Sequence, residues 1–212
     1  MRVYKIFNSI DGEVNCYGQG HMTKFIRFSG CNLNCSYCDT KYAQKYESGF
    51  GISISKIIKE VNKIGCKKVT LTGGEPLLQP HIVRCIGQLL ENRNIITIET
   101  NGSIKPPVWH RNLAYVMDYK LESSGMGLHM QYENFIGLGV RDFVKFVIGS
   151  ALDYRQAKKI MNALKRSGCR ANFAMSPIHG EVEPLTLIEW LQKDKIFDIV
   201  INLQLHKYIM VE

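Results

Sequence analysis

Apolar and polar positions alternate along the chain in two rhythms. Short β-rich apolar runs at residues 23–28, 68–71, 95–99, 114–119, 143–148, 171–175 and 198–203 predict strands. Helical spacings stand between them. Ile54, Ile57, Ile58 and Val61 fall at i, i+3, i+4 and i+7, predicting a helix over 53–64 that Gly65 stops. Pro80 is the expected opening of a second helix, with Ile82, Cys85, Ile86, Leu89 and Leu90 on one face. Asp153 is the expected cap of a third, with Ala157, Ile160, Met161 and Leu164 inward and Gly168 at its end. A fourth covers 184–192. Residues 121–139, rich in Gly, Ser and Met, read as a loop, either mobile or pocket-forming. Repeated strand–helix–strand units predict an α/β fold with a mostly parallel sheet and helices outside.

Ligands of such folds gather at the carboxyl ends of the strands. The polar and Gly-rich turns fall there: the cysteine loop after 23–28, Thr72–Pro76 after 68–71, and Thr100-Asn101-Gly102 after 95–99. Asp118-Tyr119-Lys120 and Ser176-Pro177 end two more strands. One active face is expected.

The chain has 212 residues, fits a single domain over 1–212, and shows neither an internal repeat nor a linker. Its formal charge is +8, but the Lys and Arg are scattered, with Lys67-Lys68 and Lys158-Lys159 the densest pairs. A solvated surface with a few anion-binding side chains therefore explains the charge better than nucleic-acid binding. No apolar run approaches the ~18 residues of a membrane span, and no secretory signal opens the chain. Seven cysteines then read as metal ligands or small buried groups in a reduced, cytoplasmic protein. Burial is expected for Cys66, Cys85 and Cys169; Cys16, in a Gly-rich stretch, is assigned no role.

The strongest chemical signal is Cys31, Cys35 and Cys38, spaced Cys-x3-Cys-x2-Cys. Three thiolates can converge on one iron–sulfur cluster, and a fourth would complete a closed cluster or a tetrahedral zinc site. No other Cys or His falls between Cys38 and Cys66, so one metal position is left open. Half a zinc site and free thiols are the bland alternatives. In Thr72-Gly73-Gly74-Glu75-Pro76, paired Gly residues admit a close backbone approach, and Glu75 can accept from an ammonium group. By itself this is also a common strand-to-helix turn.

The cysteine loop with Gly73–Pro76 resembles the radical S-adenosylmethionine (SAM) enzymes, whose incomplete β/α barrel is the fold this implies. Phe7–Glu13, Phe25–Gly30, Cys38-Asp39-Thr40, Glu99–Gly102, Asp118–Lys120 and Leu203–Lys207 follow in order. Over residues 4–208 this set resembles the 7-carboxy-7-deazaguanine synthases of queuosine biosynthesis, a tRNA-modification pathway. The resemblance implies a lyase that converts 6-carboxy-5,6,7,8-tetrahydropterin to 7-carboxy-7-deazaguanine and releases ammonia. It implies a [4Fe-4S] cluster on Cys31, Cys35 and Cys38, and Mg2+ on Thr40. It implies SAM binding by Tyr37, Cys38, Asp39, Gly74, Glu75, Asp118, Tyr119, Lys120, Met175, Ser176, Pro177 and Ile178. Substrate would meet Ile10, Asp11, Gly12, Glu13, Arg27 and Thr72; no residue is assigned as catalytic. An electron donor such as flavodoxin or ferredoxin, and a homodimer, are implied as partners. Asp11, Val14 and Asp118-Tyr119 depart from common family patterns. The alternatives are a glycyl-radical activating enzyme, which acts on a protein, and an iron–sulfur electron carrier.

Overall fold

The computed structural model describes residues 1–63 and 65–211. Nine strands form one sheet in the order β3-β1-β2-β4-β5-β6-β7-β8-β9. These are β1 (Arg2–Ile10), β2 (Met22–Phe28), β3 (Phe50–Gly51), β4 (Lys68–Gly73), β5 (Ile95–Thr100), β6 (Leu113–Tyr119), β7 (Phe143–Ile148), β8 (Asn172–Pro177) and β9 (Val200–Ile201). From β2 to β9 all pairings are parallel; β1 runs antiparallel to both β2 and β3. The sheet does not close, so the α/β, incomplete-barrel expectation holds.

The helices are α1 (Ile54–Asn62), α2 (Ile82–Glu91), α3 (Tyr132–Ile136), α4 (Ala151–Arg166), α5 (Pro184–Lys193) and α6 (Leu205–Tyr208). The last residue of the expected 53–64 helix lies outside the described residues. Four expectations need correction. α2 begins at Ile82, beyond Pro80, after His81 in the left-handed region (φ 64°). α4 is capped by Ser150, whose hydroxyl accepts from Asp153 N–H; the Asp153 carboxylate instead accepts from Ser123 and Gly149 N–H. The last strand shrinks to Val200–Ile201, and 121–139 contains α3.

Alternation along the parallel strands separates two faces. The outer face carries Ile26, Phe28, Leu71, Ile96, Ile98, Met117, Phe146 and Met175, which form the main core with Ile57, Val61, Ile86, Leu89, Met161, Leu164 and Leu187 of the helices. The inner face carries Arg27, Thr72, Glu99, Asp118, Lys145 and Ser176 toward the strand ends. Below them Val14, Val116, Phe143 and Ala174 make a small apolar plug. The polar inner face is therefore a cavity wall above an apolar base.

Cys85 and Cys169 are buried as expected, and Cys66 is half-buried with its thiol donating to Met22 O and Lys68 O.

Candidate active site

Strand β2 ends in Ser29-Gly30, and Gly30 (φ 95°) turns the chain into the cysteine loop. Backbone bonds fix the loop: Gly30 N–H to Ala43 O and Cys31 N–H to Gln44 O at 2.9 Å each, and Cys38 N–H to Cys35 O at 3.2 Å. Ser36 N–H donates to Ser124 O at 3.1 Å, so Asp153, which holds Ser123, supports the loop from behind. The turn after β4 lies directly against the loop. Gly74 N–H donates to Phe28 O and Glu75 N–H to Gly30 O. A Cβ on Gly74 would stand 2.1 Å from Gly30 O, so only glycine fits this approach.

Cys31, Cys35 and Cys38 all line one cavity of about 540 Å³ at the strand ends. Among the described residues no three Cys, His, Asp or Glu converge on a single-ion position. Three separated thiols with no fourth ligand fit a multi-iron cluster in which each thiolate takes its own iron. Burial pushes the Cys31 and Cys35 thiols above their ordinary range. The Asn101 amide reaches Cys31 Sγ at 3.7 Å, and the buried Tyr37 hydroxyl has no hydrogen-bond partner. Burial pushes the Tyr37 phenol up to about 12.

The same cavity is lined by Asp39, Thr40, Gly74, Asp118, Lys120, Ser176, Pro177 and Ile178, and by Ile10, Gly12, Glu13, Arg27 and Thr72. The structure thus gathers most of the residues singled out from sequence. Thr40 Oγ1 stands 3.7 Å from Cys38 Sγ, and Arg27 donates to the Tyr42 hydroxyl with its guanidinium 5.0 Å from the Phe7 ring centre.

Four expected residues do not reach the cavity wall. Met175 and Tyr119 occupy outer-face positions; Met175 is in the core, and Tyr119 packs against Phe135 and Phe146. Asp11 is buried beneath the strands, where it accepts from the Thr70 hydroxyl at 2.7 Å. Glu75 is fully buried behind the wall, accepting from Leu77 N–H, the Thr100 hydroxyl and Asn101 N–H. Burial pushes its carboxyl up despite these bonds.

Further cavity residues without a sequence assignment include Glu99, Lys145, Asn101, Gln204 and His206. Lys145 has a signal, being a lone charge inside the apolar run Phe143–Ile148. It pairs with Glu13 at 2.7 Å and Asp118 at 3.2 Å, while Lys120 pairs with Asp118 at 2.8 Å. Burial opposes charge on Glu13. The Lys145 ammonium and bonds from Lys145, Gln204 and Asn202 outweigh it and hold the carboxyl below its ordinary value. Burial likewise disfavours the Lys145 and Lys120 ammonium groups, but their acidic neighbours raise both. Among the described residues Glu99 has one hydrogen-bond partner, the Thr72 hydroxyl at 2.7 Å. Burial, the Glu13 charge and, more weakly, the Asp11 charge push Glu99 up to about 8, against the pull of Lys145.

The profile of the Radical SAM superfamily matches residues 25–191. A Clostridium acetobutylicum protein named 7-carboxy-7-deazaguanine synthase is 38% identical over 98% of this chain and 95% of its own length. A Chlorobaculum tepidum protein of the same name is 32% identical over 99% of this chain and 94% of its own. The crystal structure of QueE from Escherichia coli matches with TM-score 0.76 at 19% identity, covering 94% of this chain and 92% of that one. Streptococcus suis SuiB bound to S-adenosylmethionine matches with TM-score 0.57 at 14% identity, covering 81% and 47%. The two structural matches are likenesses of fold. The profile and the full-length relatives carry the assignment: this chain belongs to the radical SAM superfamily and, within it, to the 7-carboxy-7-deazaguanine synthase family.

Proposed function

We propose that this chain converts 6-carboxy-5,6,7,8-tetrahydropterin to 7-carboxy-7-deazaguanine with release of ammonia. Superfamily membership implies a [4Fe-4S] cluster and SAM. The observation that carries the reading is one cavity with three thiols on one wall and a polar, charge-paired inner face on the other. Cys31, Cys35 and Cys38 would hold the cluster, leaving one iron for the amino and carboxylate groups of SAM. When bound, the cluster would supply one-electron reducing chemistry toward SAM.

The chain's own residues divide the remaining work. Gly74 lets backbone approach the methionine end of SAM. Tyr37, Asp39, Asp118, Lys120 and Ser176–Ile178 flank its other end. Met175, Tyr119 and Glu75 contribute through backbone and support, since their side chains point elsewhere. Arg27, on the inner face, suits a bidentate grip on the substrate carboxylate. Glu13, with Oε1 taken only by Gln204, keeps acceptor capacity for the donor edge of a pterin. Thr40 offers a hydroxyl oxygen for Mg2+, a cation that prefers oxygen ligands and keeps water or substrate among them. Asp11 acts beneath the site, accepting from the Thr70 hydroxyl with the Lys68 charge nearby. An acidic one-electron donor such as flavodoxin or ferredoxin, a homodimer and a cytoplasmic setting complete the proposal. Among the described residues no helix is long and apolar enough to cross a membrane. A protein substrate or pure electron transfer is disfavoured by this recessed, charge-lined inner face.

The test is anaerobic reconstitution of the cluster, reduction, and addition of SAM, carboxytetrahydropterin and Mg2+. Formation of 5′-deoxyadenosine and the deazapurine, slowed when Mg2+ is withheld, is the expected result. Deoxyadenosine without deazapurine would leave the superfamily chemistry and discard the substrate.

A further inference from the structure

Three carboxylic residues line the inner wall of one cavity: Glu13, Asp118 and Glu99. Two ammonium groups answer them. Lys145 bridges Glu13 and Asp118, and Lys120 holds the other oxygen of Asp118. Glu99 takes part in no salt bridge among the described residues. Its hydrogen bond comes from Thr72, a residue that shares the cavity with Arg27. Of these three carboxyls Glu99 is the one without an ammonium partner, and it is buried beside the Glu13 charge, so this is the carboxyl that keeps its proton.

We propose that Glu99 is the acid that protonates the ring nitrogen leaving as ammonia, and the base that afterwards takes a proton from ring carbon. This rests on the reaction proposed above. The ring contraction exchanges one of the nitrogen's two ring bonds for the new carbon–carbon bond; loss of ammonia then breaks the remaining carbon–nitrogen bond, whose electron pair stays on nitrogen. The Glu99 carboxyl O–H proton passes to that nitrogen, leaving a carboxylate beside Lys145. A proton released from ring carbon, as the five-membered ring becomes aromatic, restores the acid. The sum is loss of one ammonia, with no external oxidant or reductant.

The groups around Glu99 set the direction of its pH response. Asp11 and Glu13 approach from the segment after β1, Arg27 from β2, and Asp118 with Lys120 from β6 and its end. Lys145 comes from β7 and His206 from α6. Burial and the Glu13 charge raise Glu99 to about 8. The acid form is required, so turnover falls as pH rises through that value.

The reconstituted holoenzyme tests this with Glu99→Gln and Glu99→Asp. The pterin carries deuterium at the carbon the radical attacks, which separates hydrogen transfer from ammonia loss. In Glu99→Gln, deuterium still enters 5′-deoxyadenosine and SAM, while deazapurine and ammonia fall roughly 100-fold or more. The limb of the kcat profile near pH 8 disappears from the residual rate. Glu99→Asp recovers part of kcat with KM little changed. Deazapurine within about threefold of wild type in Glu99→Gln, far below the usual worth of a general acid, overturns the inference. So does a parallel loss of deuterium transfer and product. An inert wild type would overturn the reaction itself, and this inference with it.

Discussion

Glu75 binds its own chain with both carboxylate oxygens. Oε1 takes Leu77 N–H at 2.9 Å and the Thr100 hydroxyl at 2.8 Å; Oε2 takes Asn101 N–H at 2.7 Å. The residue ties the turn after β4 to the end of β5 and so presents Asn101, whose amide reaches Cys31 Sγ. Glu75→Gln turns an amide toward Asn101 N–H and leaves that donor unsatisfied. The expected cost is about 1–3 kcal/mol, read as a lower denaturation midpoint in the cluster-free protein. A purely ligand-binding Glu75 would leave that midpoint unchanged and weaken only SAM affinity. Glu13 makes the contrast: it is equally well bonded, yet it opens onto the cavity.

At the scale of elements, the junction between the β4 turn and the cysteine loop is where two backbones nearly touch. Gly74→Ala places a methyl 2.1 Å from Gly30 O, against backbone that cannot yield. A loss of about 1–3 kcal/mol or more is expected, with less iron and sulfide bound per chain after reconstitution. Gly87→Ala, in α2 with open space around it, is the control; it gains about 0.5–1 kcal/mol and loads normally. The amphipathic helices were legible because their apolar positions repeat locally, as Ile57 and Val61 do in α1. β1 was not, because its burial alternates poorly: Lys5 and Asn8 face out among Ile6 and Phe7, and its pairing depends on β2 far along the chain. Motif resemblance named Met175 and Tyr119 but carried no side-chain direction; strand alternation supplies it. Lys145 and Glu99 stayed hidden as cavity residues because their meaning lies in partners up to 132 residues away.

At the scale of the molecule, side chains span the gap the open sheet leaves. Asn202, fully buried, accepts from Val14 N–H at 2.8 Å and Gln19 Nε2 at 2.9 Å, and donates to Glu13 Oε2 at 2.6 Å. Gln19 also reaches Leu203 O, and Leu205 N–H donates to Gly12 O. A Cβ on Gly12 would stand 2.0 Å from His206 Nδ1, so any side chain there must displace the imidazole. These bonds clasp the segment after β1 to the segment after β9. Asn202→Leu strands several buried polar groups, so a loss of about 2–4 kcal/mol is expected. Limited proteolysis should then cut near residues 203–205, where Leu203 O is bonded to Gln19 in the intact clasp, and should spare them in the wild-type protein. Unchanged protection would mean the clasp does not hold the two segments.

The clasp also orders events in time. Glu13 leaves the ribosome 191 residues ahead of Gln204, roughly 10–40 s at ordinary elongation rates. For most of that interval Cys31, Cys35 and Cys38 are already made, but the wall that will enclose them is not. A thiol trio waiting in a half-built pocket is open to stray metals and oxidants. Faithful loading of iron and sulfide therefore belongs to the finished chain, and the clasp marks the moment at which the nascent protein becomes ready to receive it.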